Sequence, residues 1–196
     1  LIPTVAFAAE GNVASVDGVE YPTVQEAIDN ADGKTVVLIA DATESVTIPA
    51  QKTVTLDLGE YTLTNKAGSH TITNNGTLTI KGNGVVDNIS HAKGALVNYG
   101  EVTVEGGTLT RSQEKGSSAT SSGGNSWYVV DNHGAMTVTG GKIINTSKYS
   151  SLIRNIGATF NMEGGELENA FITLKNDDNG VIYMTGGTVT STSSGG

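Results

Sequence analysis

Two glutamates, Glu105 and Glu163, occupy equivalent places in a sequence that repeats itself. Two carboxylates at a fixed separation are the minimum equipment for acid–base cleavage of a glycosidic bond. Aligning the repeats puts these two repeats apart, about 9.6 Å if each repeat is one strand spacing. That is at the upper edge of the window of about 6.5–9.5 Å for an inverting glycosidase. Their column reads Asp57, Lys81, Glu105, Thr139, Glu163, Thr185, with no Asp-Asp pair, histidine or arginine alongside. Without tuned neighbours, the pair lacks the split in proton affinity that a general acid and a general base require. The residues therefore favour a non-catalytic protein. Asp177 and Asp178, in the turn 176–180, could offer carboxylate oxygens to calcium, but one short turn supplies fewer than the roughly six to eight oxygens that ion takes. His70, His91 and His133 have no metal-ligand spacing, and no nucleophile-elbow or phosphate-loop motif occurs, so no other cofactor is expected.

The aromatic residues point to a different chemistry. They make up only 5% of the chain, yet Trp127, Tyr128, Tyr149 and Phe171 fall in the same turn of successive repeats. That turn varies in length while the others hold nearly constant, and its longest version spans residues 112–126. Variable loops on a rigid repeat scaffold are where binding function is usually placed. A row of rings there can stack on sugars or anchor a protein partner; equally, Trp127 and Phe171 can fold inward and plug the core.

The elements that must position these side chains follow from the repeat. Six triplets align: Val54–Leu56, Leu78–Ile80, Val102–Val104, Met136–Val138, Phe160–Met162 and Ile182–Met184, with spacings of 24, 24, 34, 24 and 22 residues. Double glycines follow four of them, at 106–107, 140–141, 164–165 and 186–187, and Gly82-Asn83-Gly84 is a variant. A second strand follows each glycine turn, and a third ends in Asn-x-Gly at Asn74, Asn98, Asn132 and Asn155. Side chains alternate faces along a strand, so the first and third members of each triplet, all apolar, face inward and the middle member, mostly Thr, faces water. Three short strands per repeat predict an all-β fold: a right-handed parallel β-helix of about six coils over residues 34–196. Stacked Asn side chains should bond one another up the coils. A second polar column, Asn65, Asn88, Arg111, Asn145, Asn169 and Ser191, closes the second strand. The Thr column is too irregular for an ice-binding array, since only 53–55 and 77–79 make Thr-x-Thr pairs.

Ahead of the repeat, residues 10–33 hold a hairpin around Asp17-Gly18 and one short helix. Thr23 and Glu26 form a capping box, Val24, Ala27, Ile28 and Ala31 make an apolar face, and Gly33 is placed to end the helix. Residues 1–9, LIPTVAFAA, read as the remnant of a secretory signal peptide. No later apolar run is long enough to span a bilayer. The pattern stops in mid-repeat, which predicts a β-helix truncated at its C-terminus with Met184 and Val189 left exposed.

Composition narrows the function. The chain has 11 Lys plus Arg against 20 Asp plus Glu, a net charge of −9, which argues against nucleic acid as a partner because phosphate binding rests on basic residues. Zero cysteines exclude disulfide scaffolds, Cys-ligated zinc and thiol catalysis. The 26 glycines and 26 threonines suit strands and tight turns.

With the repeat, its glycine corners and the run YPTVQEAIDNADGKTVVLIADATESVTIPAQKTVTLDLGEYTLT (residues 21–64), the chain resembles the pectate-lyase-like right-handed parallel β-helix domains of secreted or cell-surface proteins from gut Gram-positive bacteria. The resemblance implies that the short helix caps the N-terminal end of the coil stack. It also implies that an enzymatic member would carry a calcium-binding carboxylate cluster with an Arg or Lys base on one strand face, a constellation absent around Glu105. The expected function is a recognition or adhesion module, binding a host or dietary glycan through Trp127, Tyr128, Tyr149 and Phe171. The alternatives are a module for a host or neighbouring surface protein and, third, a polysaccharide lyase or glycoside hydrolase. The expected location is secreted or attached to the cell surface.

Overall fold

A computed structural model describes residues 11–90, 92–112, 127–145 and 151–192. The chain winds into a parallel β-helix of about 6 turns. Each complete turn contributes one strand to each of three sheets. Sheet one stacks Lys34–Leu38, Thr53–Asp57, Thr77–Lys81, Glu101–Val104, Ala135–Val138, Thr159–Met162 and Val181–Met184. Sheet two runs from Ala42–Thr43 to Thr188–Ser191, and sheet three from Val46–Ile48 to Leu174–Asp177.

The register is the one that the apolar alternation demands. Val54, Leu78, Val102, Met136, Phe160 and Ile182 are in line across sheet one, as are Leu56, Ile80, Val104, Val138, Met162 and Met184. All but Ile182 and Met184, in the last described coil, are buried, and they join the residues of sheets two and three in one hydrophobic core. A one-residue slip would exchange this core for the half-exposed Thr55, Thr79, Thr103 and Thr137, so burial fixes the pairing. In the last described coil Met184 is 49% exposed, as expected for a coil end with no described neighbour on that side.

The Asn-x-Gly turns build the predicted ladder. Asn74 Nδ2 donates to Asn98 Oδ1 at 2.7 Å, Asn98 to Asn132 at 2.7 Å, Asn132 to Asn155 at 2.7 Å and Asn155 to Asn176 at 2.8 Å. Each amide also donates to backbone carbonyls at the turn; Asn98 reaches Gly100 O and Ala135 O. Asn74, Asn98, Asn132 and Asn155 are fully buried, where an unpaired amide would cost about 1–3 kcal/mol per group.

At the N-terminal end, Ala14–Val16 and Val19–Tyr21 form the expected hairpin, with Asp17 and Gly18 both at positive φ, as a tight two-residue turn requires. The first hairpin strand also pairs antiparallel with Lys34–Leu38, closing one edge of sheet one. The helix covers Val24–Asp29, with Thr23 Oγ1 accepting from Glu26 N at 3.1 Å. Its end differs from the expected one: Asn30, not Gly33, is the C-cap. Asn30 caps the helix with its own side chain, Nδ2 donating to Glu26 O at 2.8 Å, and Lys52, from the next coil, adds donors to the carbonyls of Ile28 (3.1 Å) and Asp29. At the other end, the Glu44 carboxylate accepts from Val24 N (2.7 Å) and Gln25 N (3.1 Å), placing negative charge on the positive end of the helix. Gln25 in turn binds Thr47 N and O, occupying the backbone of the edge strand Val46–Ile48.

Candidate functional site

The outer face of sheet three carries a cluster of charged and aromatic side chains. Two outward columns run up it. The first, mid-strand, is Thr73, Val97, Asp131, Arg154 and Lys175. The second is the middle residue of each Asn-x-Gly turn, Asn75, Tyr99, His133, with Ile156 and Asp177 continuing it. Positions two apart on a strand share a face, so a carboxylate, an imidazole and a phenol ring meet here. His133 Nε2 lies 3.2 Å from Asp131 Oδ2. The His133 ring stacks on Tyr99 in the coil before it, with centroids 5.0 Å apart and planes at 24°. Tyr99 is 55% exposed with its ring stacked on His133, so part of the ring is open to a ligand. Asp131 is only 5% exposed, and its Oδ1 is buried with no hydrogen-bond partner among the described residues.

Trp127 and Tyr128 border this face from the corner between sheets two and three. Both are half-buried, and their rings meet edge to face at 5.9 Å. The Arg154 guanidinium lies over the Tyr128 ring at 5.6 Å, a cation–π contact. Arg154 Nε donates to Asp177 Oδ2 at 2.9 Å, and Lys175 Nζ reaches the same oxygen at 3.2 Å. The Arg154 hydrogen bond, and then that from Lys175, hold the Asp177 carboxyl below the ordinary carboxylate range.

Arg111 explains how the corner is pinned. It sits in the asparagine column of sheet two, yet its side chain is long and fully buried. Its Nη1 donates to Trp127 O at 3.0 Å and its Nη2 to Ser90 O at 3.2 Å. An asparagine at that place would be too short to reach Trp127. The other end of the insertion is held by Asp87, whose carboxylate accepts from Ser112 N at 2.8 Å and from the Ser112 hydroxyl.

The expected site residues are therefore divided. Trp127 and Tyr128 are together. Phe171 is two coils further on, about 9.6 Å at the strand spacing. It is 44% exposed, so it does not plug the core, and among the described residues no ring contact joins it to the pair. Tyr149, like His91, lies outside the described residues. Tyr99, His133, Asp131, Arg154 and Lys175 were not singled out by the aromatic-turn argument. The signal that could have found them is the middle position of the Asn-x-Gly turns, where Tyr99 and His133 stand in successive repeats.

Glu105 and Glu163 are exposed and two coils apart, with Thr139 between them. Glu105 borders a shallow groove of about 430 Å³ at the glycine corner together with Thr108 and Lys142, and Glu163 does not line it. Asp178 is exposed with φ 51°, on a turn with Asn179 at φ 61°. Asp177 faces two protein cations, and among the described residues no group of three or more His, Asp or Glu is placed to hold a metal.

His70 supports the corner from below. Its Nδ1 accepts from Gly94 N at 2.8 Å, and its ring lies 6.1 Å from Trp127. Burial, and next the nearby Lys93, hold the imidazole below its ordinary 6.5. Above that value both folded and unfolded chains carry neutral His70. As pH falls below it the unfolded chain binds the proton first, so stability drops through the lowered folded value. Denaturation midpoints should fall between pH 7.5 and pH 5 in the parent and fall less in His70→Gln, which has no titrating ring. Asp177, with its folded value depressed, loses its contribution only at more acid pH.

The fold and this face define a parallel β-helix repeat protein with a mixed aromatic and ionic outer surface. Comparison with protein families, with curated proteins and with solved structures finds no match. Among the described residues no helix is long and apolar enough to cross a membrane.

Proposed function

We propose that this protein is a non-catalytic recognition module, secreted or carried on a bacterial cell surface, that binds carbohydrate across the outer face of sheet three. The observation that carries this reading is the open Tyr99 ring, backed by His133 and set beside Asp131, Arg154 and the Trp127–Tyr128 corner. Sugar recognition needs an aromatic platform for the C–H face of the ring and charged groups for its hydroxyls, and here both are on one rigid surface. The groups are buried or paired before any ligand arrives, so little side-chain entropy is lost on binding.

The test is a glycan-array screen of the full chain, followed by calorimetry on any hit. Dissociation constants between about 1 µM and 1 mM are expected. Tyr99→Ala should weaken binding roughly 2- to 10-fold, from the loss of about 0.5–1.5 kcal/mol of stacking, with the melting temperature little changed. Trp127→Ala should act in the same direction. Array binding that neither substitution alters would remove the face from consideration.

A protein partner is the second reading, favoured by the exposed neighbours Phe171 and Ile172 on the same corner. It predicts no glycan hit and a partner whose capture is lost in Phe171→Ala. A polysaccharide-cleaving enzyme, the third reading, would require Glu105→Gln to abolish turnover in a folded chain.

A further inference from the structure

The sheet-three face carries information about the charge of its ligand; this inference rests on the proposed glycan-binding reading. Across the face two carboxylates, Asp131 and Asp177, are set against two permanent cations, Arg154 and Lys175. They are not arranged as a cation cluster. Asp177 lies between the two, taking Arg154 Nε at 2.9 Å and Lys175 Nζ at 3.2 Å on a single oxygen. Any carboxylate or sulfate that approached Arg154 or Lys175 would have to displace Asp177 or stand next to it, and like charges in contact are strongly disfavoured. On the other flank the buried Asp131 carboxylate repels an anion in the same way. The chain as a whole carries −9.

A neutral sugar meets no such obstacle. Each hydroxyl both donates and accepts, so it fits a surface where carboxylate acceptors and guanidinium or ammonium donors alternate. Arg154 keeps further N–H groups beyond the one given to Asp177.

We infer that the face selects neutral oligosaccharides over acidic ones, and that Asp177 is the residue that enforces the selection by occupying Arg154 and Lys175. The role of Asp177 is exclusion, so its removal should broaden specificity toward acidic ligands.

The experiment is calorimetry of the full chain at about 20 mM salt, where screening is weak. The probes are cellohexaose and mannohexaose as neutral ligands, and hexagalacturonate and a heparin hexasaccharide as acidic ones. The parent and Asp177→Asn are compared, with melting curves for both. The inference expects a neutral probe to bind the parent at least about tenfold more tightly than either acidic probe. It expects Asp177→Asn to narrow that ratio by strengthening acidic binding. Acidic binding to the parent equal to or tighter than neutral binding overturns the inference and leaves the glycan reading standing. An unchanged ratio in a folded Asp177→Asn overturns the role given to Asp177. If no probe of either kind binds, the glycan reading itself fails, and the inference with it.

Discussion

Gly100→Ala is expected to destabilise the protein by about 3 kcal/mol, seen as a lower denaturant midpoint at unchanged slope. Gly100 ends the Asn98-Tyr99-Gly100 turn and packs directly on the coil before it. A Cβ at that position would stand 2.1 Å from Gly76 O and 2.8 Å from Asn75 C. Both are backbone atoms, held by ladder hydrogen bonds such as Glu101 N to Gly76 O at 2.8 Å, so neither can swing aside. The two coils would have to separate. Gly11→Ala is the control. A Cβ there meets nothing within 4 Å, and the change should stay within about 0.5 kcal/mol.

The second large effect is expected at Asn132. Asn132→Ala removes the acceptor for Asn98 Nδ2 and the donor for Asn155 Oδ1, each at 2.7 Å and each fully buried. It also removes the donor to Thr159 O at 3.1 Å. The loss should be about 2–3 kcal/mol, since Asn155 Oδ1 is left buried without that donor, at roughly 1–3 kcal/mol, while Asn98 keeps Gly100 O and Ala135 O. Asn75, exposed in the corresponding turn, is the control: Asn75→Ala should change little. Because Asn132 precedes His133, the substitution should also weaken glycan binding, beyond what destabilisation alone explains. Calorimetry at a temperature where the variant is folded would separate the two.

The parts of the fold set by alternation were readable in the residues. Inward columns, the Asn ladder and the glycine corners all follow from a period-two pattern repeated at nearly constant length. Where one long-range contact decides the outcome, the reading stopped short. The helix ends at Asn30, whose side chain takes the Glu26 carbonyl, and Lys52 from the next coil joins it on Ile28 and Asp29, a contact that nothing local to residues 23–33 announces. The first coil, Lys34–Leu38, Ala42–Thr43 and Val46–Ile48, pairs with the next at a spacing of 20 residues (Lys34 with Val54) and has no double glycine, so it does not align with the rest.

The candidate site was half legible. Trp127 and Tyr128 stood out because aromatic residues are scarce and the turn holding them varies in length. Tyr99 and His133 did not, because the middle residue of an Asn-x-Gly turn reads as a solvated tip. Only the stacking of successive turns puts the two rings face to face. Asp131 and Arg154 were hidden for a related reason: they are outward residues of a third strand whose face, unlike that of sheet one, is partly covered. Val97 and Asp131 are 3% and 5% exposed at positions where simple alternation expects solvent.

The most direct test of the sheet-three face is chemical-shift mapping of the isotopically labelled full chain during titration with a neutral oligosaccharide. The chain has one tryptophan, so the indole N–H signal belongs to Trp127 without ambiguity. The largest changes should fall on that signal, the Arg154 side chain, and the backbone of Tyr99, Tyr128, Asp131 and His133. Saturable shifts gathered instead around Glu105, Thr139 and Glu163 on the opposite corner would contradict the assignment and return attention to the glycine groove.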